Sequence, residues 1–248
     1  MSNPTLAEFE QAAAFLADVI TATPIDESEH LTGVLGQPVY LKLENMQRTG
    51  SFKIRGAAYR LSQLTAEERA RGVVAASAGN HAQGVARAAH QLGIPATIFM
   101  PLGVPVPKLL ATRSYGADVV LEGPTVETPL RLAAEFAERT GAVLIHPYDH
   151  RDVIIGQGTL GLEVFDAVPE VETVLVGIGG GGLIAGDRGR RRPDAGRHRV
   201  GPAHPRRRRG SRQGAGSGRR TRRPRHRCAG GELRGLPVVA AGGRARHR

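Results

Sequence analysis

The sequence predicts an α/β fold built on doubly wound parallel sheets, and two patterns support this. Short apolar runs alternate with amphipathic segments through residues 39–186, as expected for strands and helices in βαβ units. Three of the helical segments end at a glycine, namely Gly93, Gly116 and Gly141, and glycine is the residue that most often closes a helix. No internal repeat is visible.

Six strands and five helices follow from this alternation. The predicted strands are residues 39–43, 73–76, 96–100, 118–121, 143–146 and 173–176. The predicted helices are residues 51–64, 81–92, 107–115, 126–140 and 152–168. Gly156, Gly158 and Gly161 weaken the first half of the last helix, because glycine loses much backbone freedom inside a helix.

The chain divides into two segments of opposite charge. Residues 1–186 carry 13 Lys and Arg against 20 Asp and Glu, whereas residues 187–248 carry 21 Arg, no Lys and 3 acids. The net charge of +11 is therefore an average of two unlike parts. The basic segment also lacks Ile, Phe, Tyr, Trp, Met and Asn, so we expect it to be a disordered tail without a core of its own.

The missing residue types suggest a cause for this change. Arg, Gly, Ala and Pro have G/C-rich codons, and most of the absent residues have A/T-rich codons. Residues 187–190 are encoded GAY-CGN-GGN-CGN, and removing the first G permits Ile or Thr followed by small residues, which would extend the helix that begins at residues 183–186. We therefore predict that the chain is read out of frame from residue 187. The alternative is a genuine Arg-rich arm that binds nucleic acid, although it has no aromatic residue on which bases could stack.

Targeting and redox signals are few. The single cysteine, Cys228, excludes an internal disulfide framework and fits a reducing compartment. No apolar run reaches the roughly 18 residues that a membrane-spanning helix needs. The N-terminus is acidic and helical in pattern, unlike a signal peptide. We expect a soluble, cytoplasmic protein.

The first candidate site is the glycine run that follows the strand at 173–176. Gly179, Gly180, Gly181 and Gly182 have no Cβ, so their backbone N–H groups can closely approach an anion. A helix that starts behind them would add a partial positive charge, which favours a phosphate. The alternative is a flexible turn or a close packing site.

The second candidate site is the loop of residues 77–84, SAGNHAQG, which also lies between a strand and a helix. Its backbone N–H groups could bind a carboxylate, and its amide side chain could lie beside a ring hydroxyl. Ser77 could equally be an ordinary helix N-cap, with Asn80 and His81 solvated in the first turn.

The third candidate is Lys53, which follows Phe52 in the segment SFKIRG at residues 51–56. Residues 1–186 contain only two other lysines, Lys42 and Lys108. A lysine between an aromatic residue and Ile54 could be desolvated, which would lower its pKa and make it a nucleophile. Taken alone, it could equally be a surface lysine at a helix start.

Together, the three segments resemble the threonine/serine dehydratases, which are pyridoxal-phosphate enzymes of the tryptophan-synthase-β-like fold. Residues 51–57, 77–84 and 179–182 have the order and spacing of that family, and residues 146–149 (HPYD) and 156–159 (GQGT) are also similar to it. The resemblance covers about residues 5–186. It implies two domains, the larger, cofactor domain formed by residues 1–55 and 148–186 and the smaller by residues 56–147.

The resemblance also implies roles for individual residues. Lys53 would be the catalytic residue, which forms the Schiff base with the cofactor and later acts as the base at the substrate Cα. Phe52 would lie beside the cofactor ring, Asn80 would bind its 3′-hydroxyl, and Gly179, Gly180, Gly181 and Gly182 would hold its phosphate. The substrate-binding residues would be Ser77, Ala78, Gly79, Asn80 and His81. No metal site is predicted.

One position helps to choose the reaction. Racemases that resemble these enzymes carry a serine where this chain has Ala78, and alanine cannot transfer a proton. The resemblance therefore implies a lyase that converts threonine to 2-oxobutanoate and ammonia, or serine to pyruvate, in amino-acid metabolism such as isoleucine biosynthesis. A racemase or synthase of the same fold is the alternative. A homo-oligomer is also implied.

The resemblance stops at the basic segment. Related enzymes continue with further strands and helices of the cofactor domain, including a small polar residue at the pyridine nitrogen. Residues 187–248 show none of these features. We therefore expect an incomplete cofactor domain with unpaired edge strands, which would compromise the activity of the chain.

Overall fold

A computed structural model describes residues 3–188, 199–202 and 238–242. The helices are α1 Leu6–Leu16, α2 Glu29–Leu35, α3 Lys53–Ser62, α4 Ala66–Arg71, α5 Asn80–Leu92, α6 Val106–Ser114, α7 Glu127–Thr140, α8 Arg151–Ala167 and α9 Gly182–Arg188, with a 3-10 helix at Glu44–Met46. The strands are β1 Ile25–Glu27, β2 Val39–Lys42, β3 Val73–Ala76, β4 Ala96–Met100, β5 Asp118–Leu121, β6 Val143–Leu144, β7 Val171–Val176, β8 Arg199–Pro202 and β9 Val238–Gly242.

The four-stranded sheet has the order β5-β4-β3-β6, and all of its strands are parallel. The residues of β3 are buried on both faces and alternate between two apolar clusters. Val73 and Ala75 belong to the cluster that includes the buried side of α5, whereas Val74 and Ala76 belong to the cluster that includes Ala133 of α7. Helices therefore cover both faces, and the predicted doubly wound α/β arrangement is confirmed for this sheet.

The five-stranded sheet has the order β1-β2-β9-β7-β8 and is mixed. Strand β1 is antiparallel to β2, and β9 is antiparallel to both β2 and β7, while β7 and β8 are parallel. The predicted α/β class is confirmed, although this sheet is mixed rather than wholly parallel. One reason is local: β1 and β2 are joined by the short helix α2, which reverses the chain between neighbouring strands rather than crossing over the sheet.

Two of these strands come from the basic segment. The expectation that residues 187–248 contribute no strand, and leave edges unpaired, is wrong for the nine residues of β8 and β9, because β9 pairs with β2 on one side and β7 on the other. The rest of the predicted disordered tail lies outside the described residues.

Helices α3 and α8 pack unusually close together, and glycines make this possible. A Cβ on Gly156 of α8 would lie 2.6 Å from the carbonyl oxygen of Arg55, and a Cβ on Gly56 of α3 would lie 2.8 Å from that of Val153. Real side chains do not tolerate such distances. The glycines that weaken α8 as an isolated helix therefore allow its backbone to contact that of α3. The start of α3 is thereby fixed against α8.

No helix within the described residues is both long and apolar enough to cross a membrane.

Candidate functional site

Lys53 is the first residue of α3 and lies half-buried at the centre of the candidate site. Its Nζ atom donates a hydrogen bond to the carbonyl oxygen of Pro147, at 2.7 Å. The same Nζ atom lies 5.3 Å from the centroid of the Phe52 ring, within the range of a cation–π contact. Phe52 itself packs against the apolar cluster that contains Leu160 and Leu183. The amine is therefore held between a backbone carbonyl and an aromatic ring.

The loop of residues 77–84 is brought against Lys53 by a close helix contact. A Cβ on Gly84, in the first turns of α5, would lie 3.1 Å from the carbonyl carbon of Lys53 and 3.2 Å from the nitrogen of Ile54. Because Gly84 has no side chain, the N-terminal part of α5 contacts the backbone at the start of α3. The second and third candidate segments are therefore neighbours in the structure.

Within this loop, the side chains take different positions. The N–H of Gly79 donates to the Oγ atom of Ser77 at 3.1 Å, which closes a small turn before α5. Ser77, Ala78 and Asn80 are half-buried, and Asn80 is the first residue of α5. The loop can therefore present both backbone N–H groups and an amide at the N-terminal end of a 13-residue helix.

His81 is buried, and its side chain faces the protein interior. Its Nε2 atom lies 2.9 Å from the carbonyl oxygen of Ile145, and because a carbonyl only accepts, Nε2 carries the proton. Burial and the positive charge of Lys53 lower the pKa of His81 to about 3, although the bond to Ile145 opposes the shift. His81 is therefore neutral at physiological pH, and it can contact a substrate only through its backbone.

The glycine run has two sides. A Cβ on Gly180 would collide with the ring of Tyr148, and a Cβ on Gly182 would lie 2.7 Å from the Tyr148 carbonyl oxygen and 3.0 Å from Oε1 of Gln157. A Cβ on Gly179 or Gly181 would meet nothing within 4 Å. Two glycines are thus required by packing, and the other two face open space that a ligand could fill.

The segment of residues 146–149 joins the glycine run to Lys53. The N–H groups of Tyr148 and Asp149 donate to Nδ1 of His146, at 3.3 and 2.7 Å, so this nitrogen is unprotonated. Burial lowers the pKa of His146, and the charge of Lys53 lowers it further, while Asp149 acts in the opposite direction. In the resulting turn, the Pro147 carbonyl accepts the hydrogen bond from the Lys53 amine, and the Tyr148 ring packs against Gly180.

A buried ion network next to the site was not predicted from the sequence. The guanidinium of Arg55 bonds to both carboxylate oxygens of Glu44 at 2.9 and 2.8 Å, and to both oxygens of Glu163 at 2.6 and 3.0 Å. Burial disfavours the charged form of Arg55, but the bonds to Glu44 and then Glu163 outweigh it and raise its pKa. Lys42 forms an ion pair with Glu163 and donates to the carbonyl oxygen of Thr23 at 2.6 Å. The network ties α3 to β2, the 3-10 helix and α8.

Two further polar groups near Lys53 were also missed. The Oγ atom of Ser51 and the Oε1 atom of Gln157 are buried and have no hydrogen-bond partner among the described residues. Gln157 belongs to the GQGT segment, so its sequence motif was noticed, but nothing in the motif indicates which atom lacks a partner. Within the same described residues, no group of three or more His, Cys, Asp or Glu is placed to hold a metal ion.

Comparison with known proteins shows the family of the chain. Residues 16–187 match the model of a family described as pyridoxal-phosphate dependent enzymes. The chain belongs to this family.

The similar proteins with curated names include threonine-degrading enzymes. The chain is 52% identical over 182 residues to an L-threonine ammonia-lyase of Thermotoga maritima, covering 73% of this chain and 45% of that protein. It is 48% identical over 183 residues to a catabolic L-threonine dehydratase of Staphylococcus aureus, covering 73% and 53%. The chain therefore spans about half the length of these relatives.

Solved structures show the same architecture. The processed threonine deaminase isoform 2 of Solanum lycopersicum superposes with a TM-score of 0.69 at 41% identity, covering 75% of this chain and 52% of that one. Maize serine racemase superposes with a TM-score of 0.73 at 37% identity, covering 76% and 57%. The family fold thus includes one protein named as a deaminase and one named as a racemase.

Proposed function

We propose that Lys53 carries pyridoxal phosphate and that the protein is an L-threonine dehydratase, a lyase that releases ammonia. The observation that carries this proposal is the convergence of the Lys53 amine and the glycine run on one short segment, Pro147–Tyr148. Pyridoxal phosphate needs an amine for its aldehyde and backbone donors for its phosphate. Both are present here, and the open space beside Gly179 and Gly181 leaves room for the phosphate.

The remaining roles follow from position. Gly179, Gly180, Gly181 and Gly182 would hold the phosphate, Phe52 would lie beside the ring, and Asn80 would bind the ring hydroxyl. The turn at Ser77, Ala78 and Gly79, with the backbone of Asn80 and His81, would receive the substrate carboxylate.

The reaction we propose is elimination from a β-hydroxy amino acid. When bound, the cofactor withdraws electrons from the substrate Cα and makes its proton acidic. Lys53 would be the base that takes that proton, and the β-hydroxyl would gain a proton and leave as water. L-Threonine then yields 2-oxobutanoate and ammonia after hydrolysis, and L-serine would yield pyruvate and ammonia.

Racemisation is the second candidate, and it is supported by the similarity to maize serine racemase. The half-buried position 78 argues against it, because the methyl group of Ala78 cannot deliver a proton. Incubation with L-serine should therefore produce pyruvate rather than D-serine. Accumulation of D-serine would reverse this choice.

We also propose the wider setting of the protein from its relatives. The domain division at residues 55 and 147, a homo-oligomeric assembly, a cytoplasmic location and a place in amino-acid metabolism such as isoleucine biosynthesis all remain proposals. Nucleic-acid binding through residues 187–248 is a further candidate, since this segment carries 21 arginines. Such binding should weaken steeply as salt is raised.

The proposal is tested with the full chain and pyridoxal phosphate. Borohydride reduction followed by peptide mass spectrometry should find the cofactor on Lys53, and Lys53→Ala should abolish both this adduct and the visible absorbance of the complex. Lys108→Ala is the matched control and should retain both. Formation of 2-oxobutanoate from L-threonine by the wild-type chain, but not by Lys53→Ala, tests the reaction. A cofactor adduct on Lys108, or none on Lys53, would contradict the assignment.

A further inference from the structure

Gln157 has a buried side-chain amide that makes few hydrogen bonds. It lies in α8 with 1% of its surface exposed. Its Nε2 atom makes one long contact, 3.5 Å, to the carbonyl oxygen of Pro147, and its Oε1 atom has no partner among the described residues. Buried polar atoms without partners are uncommon, so a glutamine retained at such a position requires an explanation other than stability.

The packing around Gln157 fixes its side chain in place. A Cβ on Gly56 would lie 2.9 Å from the Cγ atom of Gln157, and a Cβ on Gly182 would lie 3.0 Å from its Oε1 atom. Both neighbours are glycines, so the amide fills the space between α3 and the end of the glycine run. It cannot turn toward solvent to satisfy Oε1.

The amide and the Lys53 amine meet on the same oxygen atom. The Pro147 carbonyl accepts from Lys53 at 2.7 Å and faces Nε2 of Gln157 at 3.5 Å. A carbonyl oxygen has two lone pairs and can serve both donors. His81 of α5 and His146, which precedes Pro147, both interact electrostatically with Lys53, and lowered pKa values keep both neutral near pH 7. Gln157 is thus a neutral contact that orients the oxygen to which Lys53 is bound.

We propose that Gln157 is a positioning residue for Lys53, holding the Pro147 carbonyl so that the Lys53 amine is fixed beside the glycine run. It acts through Pro147 and is not a catalytic residue. The inference rests on the proposed role of Lys53, and it adds a residue that links the amine to the phosphate end of the site. The amide N–H of Gln157 suits this role, because the Pro147 carbonyl can only accept a hydrogen bond.

The test measures the reactivity of Lys53 in the full chain without added cofactor. Trace acetylation with acetic anhydride, read by peptide mass spectrometry, compares Lys53 with Lys108 in the same molecule. Gln157→Glu places a carboxylate near the amine and removes the donor to Pro147. A nearby opposite charge shifts a pKa by about 1–3 units, so the Lys53-to-Lys108 labelling ratio near neutral pH should fall about tenfold or more. Gln157→Leu removes the donor without adding charge and releases the carbonyl, so the ratio should rise by about twofold or more.

Gln47→Leu is the matched control. Gln47 is also a buried amide, but it bonds to the backbone of Thr21 rather than to the site. The Gln47→Leu substitution should lower the unfolding midpoint and leave the Lys53-to-Lys108 labelling ratio unchanged. If both Gln157 variants also lower the midpoint but leave the ratio at the wild-type value, Gln157 is merely structural and the inference is overturned. If the labelling ratios change as expected in the Gln157 variants but the wild-type chain forms no cofactor adduct on Lys53, only the proposed function is contradicted.

Discussion

Arg55 and Glu44 form a bidentate ion pair in the protein interior, with Nε–Oε2 and Nη2–Oε1 distances of 2.9 and 2.8 Å. Arg55 has no exposed surface and Glu44 is 1% exposed. Arg55 lies only two residues after Lys53, on the same first turn of α3. The pair therefore anchors the helix that carries the candidate cofactor lysine.

Removing the guanidinium should be strongly destabilising. Arg55→Met leaves the carboxylate of Glu44 buried without its positively charged partner, and breaking a buried pair in this way costs about 3–5 kcal/mol. Urea denaturation of the two proteins would measure the loss. Arg131→Met is the control, because Arg131 pairs with Glu135 on an exposed helix face, where such pairs contribute about 0–1 kcal/mol. Equal effects of the two substitutions would contradict the importance of the buried pair.

His81 should make the protein less stable as the solution is acidified. Its pKa in the folded state is about 3, whereas an unperturbed histidine has a pKa of 6.5. Between these values the unfolded chain binds more protons, so the free energy of unfolding falls as the pH drops below 6.5. At pH 5 the contribution is about 2 kcal/mol.

His81→Gln should remove this dependence, because glutamine can donate to the Ile145 carbonyl but does not titrate. The variant should therefore gain about 2 kcal/mol relative to wild type between pH 7 and pH 5 in paired denaturation curves. His90→Gln, at an exposed position of α5, should leave the wild-type pH dependence intact. An unchanged slope in His81→Gln would show that His81 is not buried in its neutral form.

Three strands of the four-stranded sheet were predictable because each is a short and mostly apolar stretch of sequence. Strands β3, β4 and β5 match the predicted residues, since each is a brief apolar run bounded by turn residues. Helix α4 was missed although a capping box of Thr65 and Glu68 marks its start. Strand β1 carried little signal, because Asp26 and Glu27 point to solvent. It forms only by pairing with β2.

The polar interior of the site could not be predicted in the same way. Charged residues such as Arg55, Glu44 and Glu163 usually lie on a solvated surface. Glu163 lies 108 residues after Arg55, and it meets Arg55 because α8 packs against α3. The lysine, the polar loop and the glycine run were predicted because each is a contiguous segment. The Pro147 carbonyl was not, since a backbone atom has no sequence signature.

The two sides of the glycine run should respond differently to the same substitution. Gly180→Ala places a methyl group against the Tyr148 ring, and such overpacking typically costs about 1–3 kcal/mol. Gly179→Ala extends into open space and should leave the unfolding midpoint nearly unchanged, but it should weaken the binding of pyridoxal phosphate, measured by the visible absorbance. Gly180→Ala combined with Tyr148→Ala should recover part of the lost stability. Similar melting and similar cofactor binding in the two alanine variants would rule out this two-sided arrangement.

The reading frame after residue 186 should differ from the one printed. The family match ends at residue 187, and no Ile, Phe, Tyr or Met occurs beyond residue 186. A one-base change at this point would restore Ile or Thr and small residues to the continuation of α9. Sequencing the DNA across codon 187 tests this directly, and the intact mass of the natively expressed protein provides a second measurement. A mass of 26.3 kDa would establish that the Arg-rich segment is genuine. In that case deleting residues 187–248 should promote aggregation, because β2 and β7 would both lose β9 as a partner.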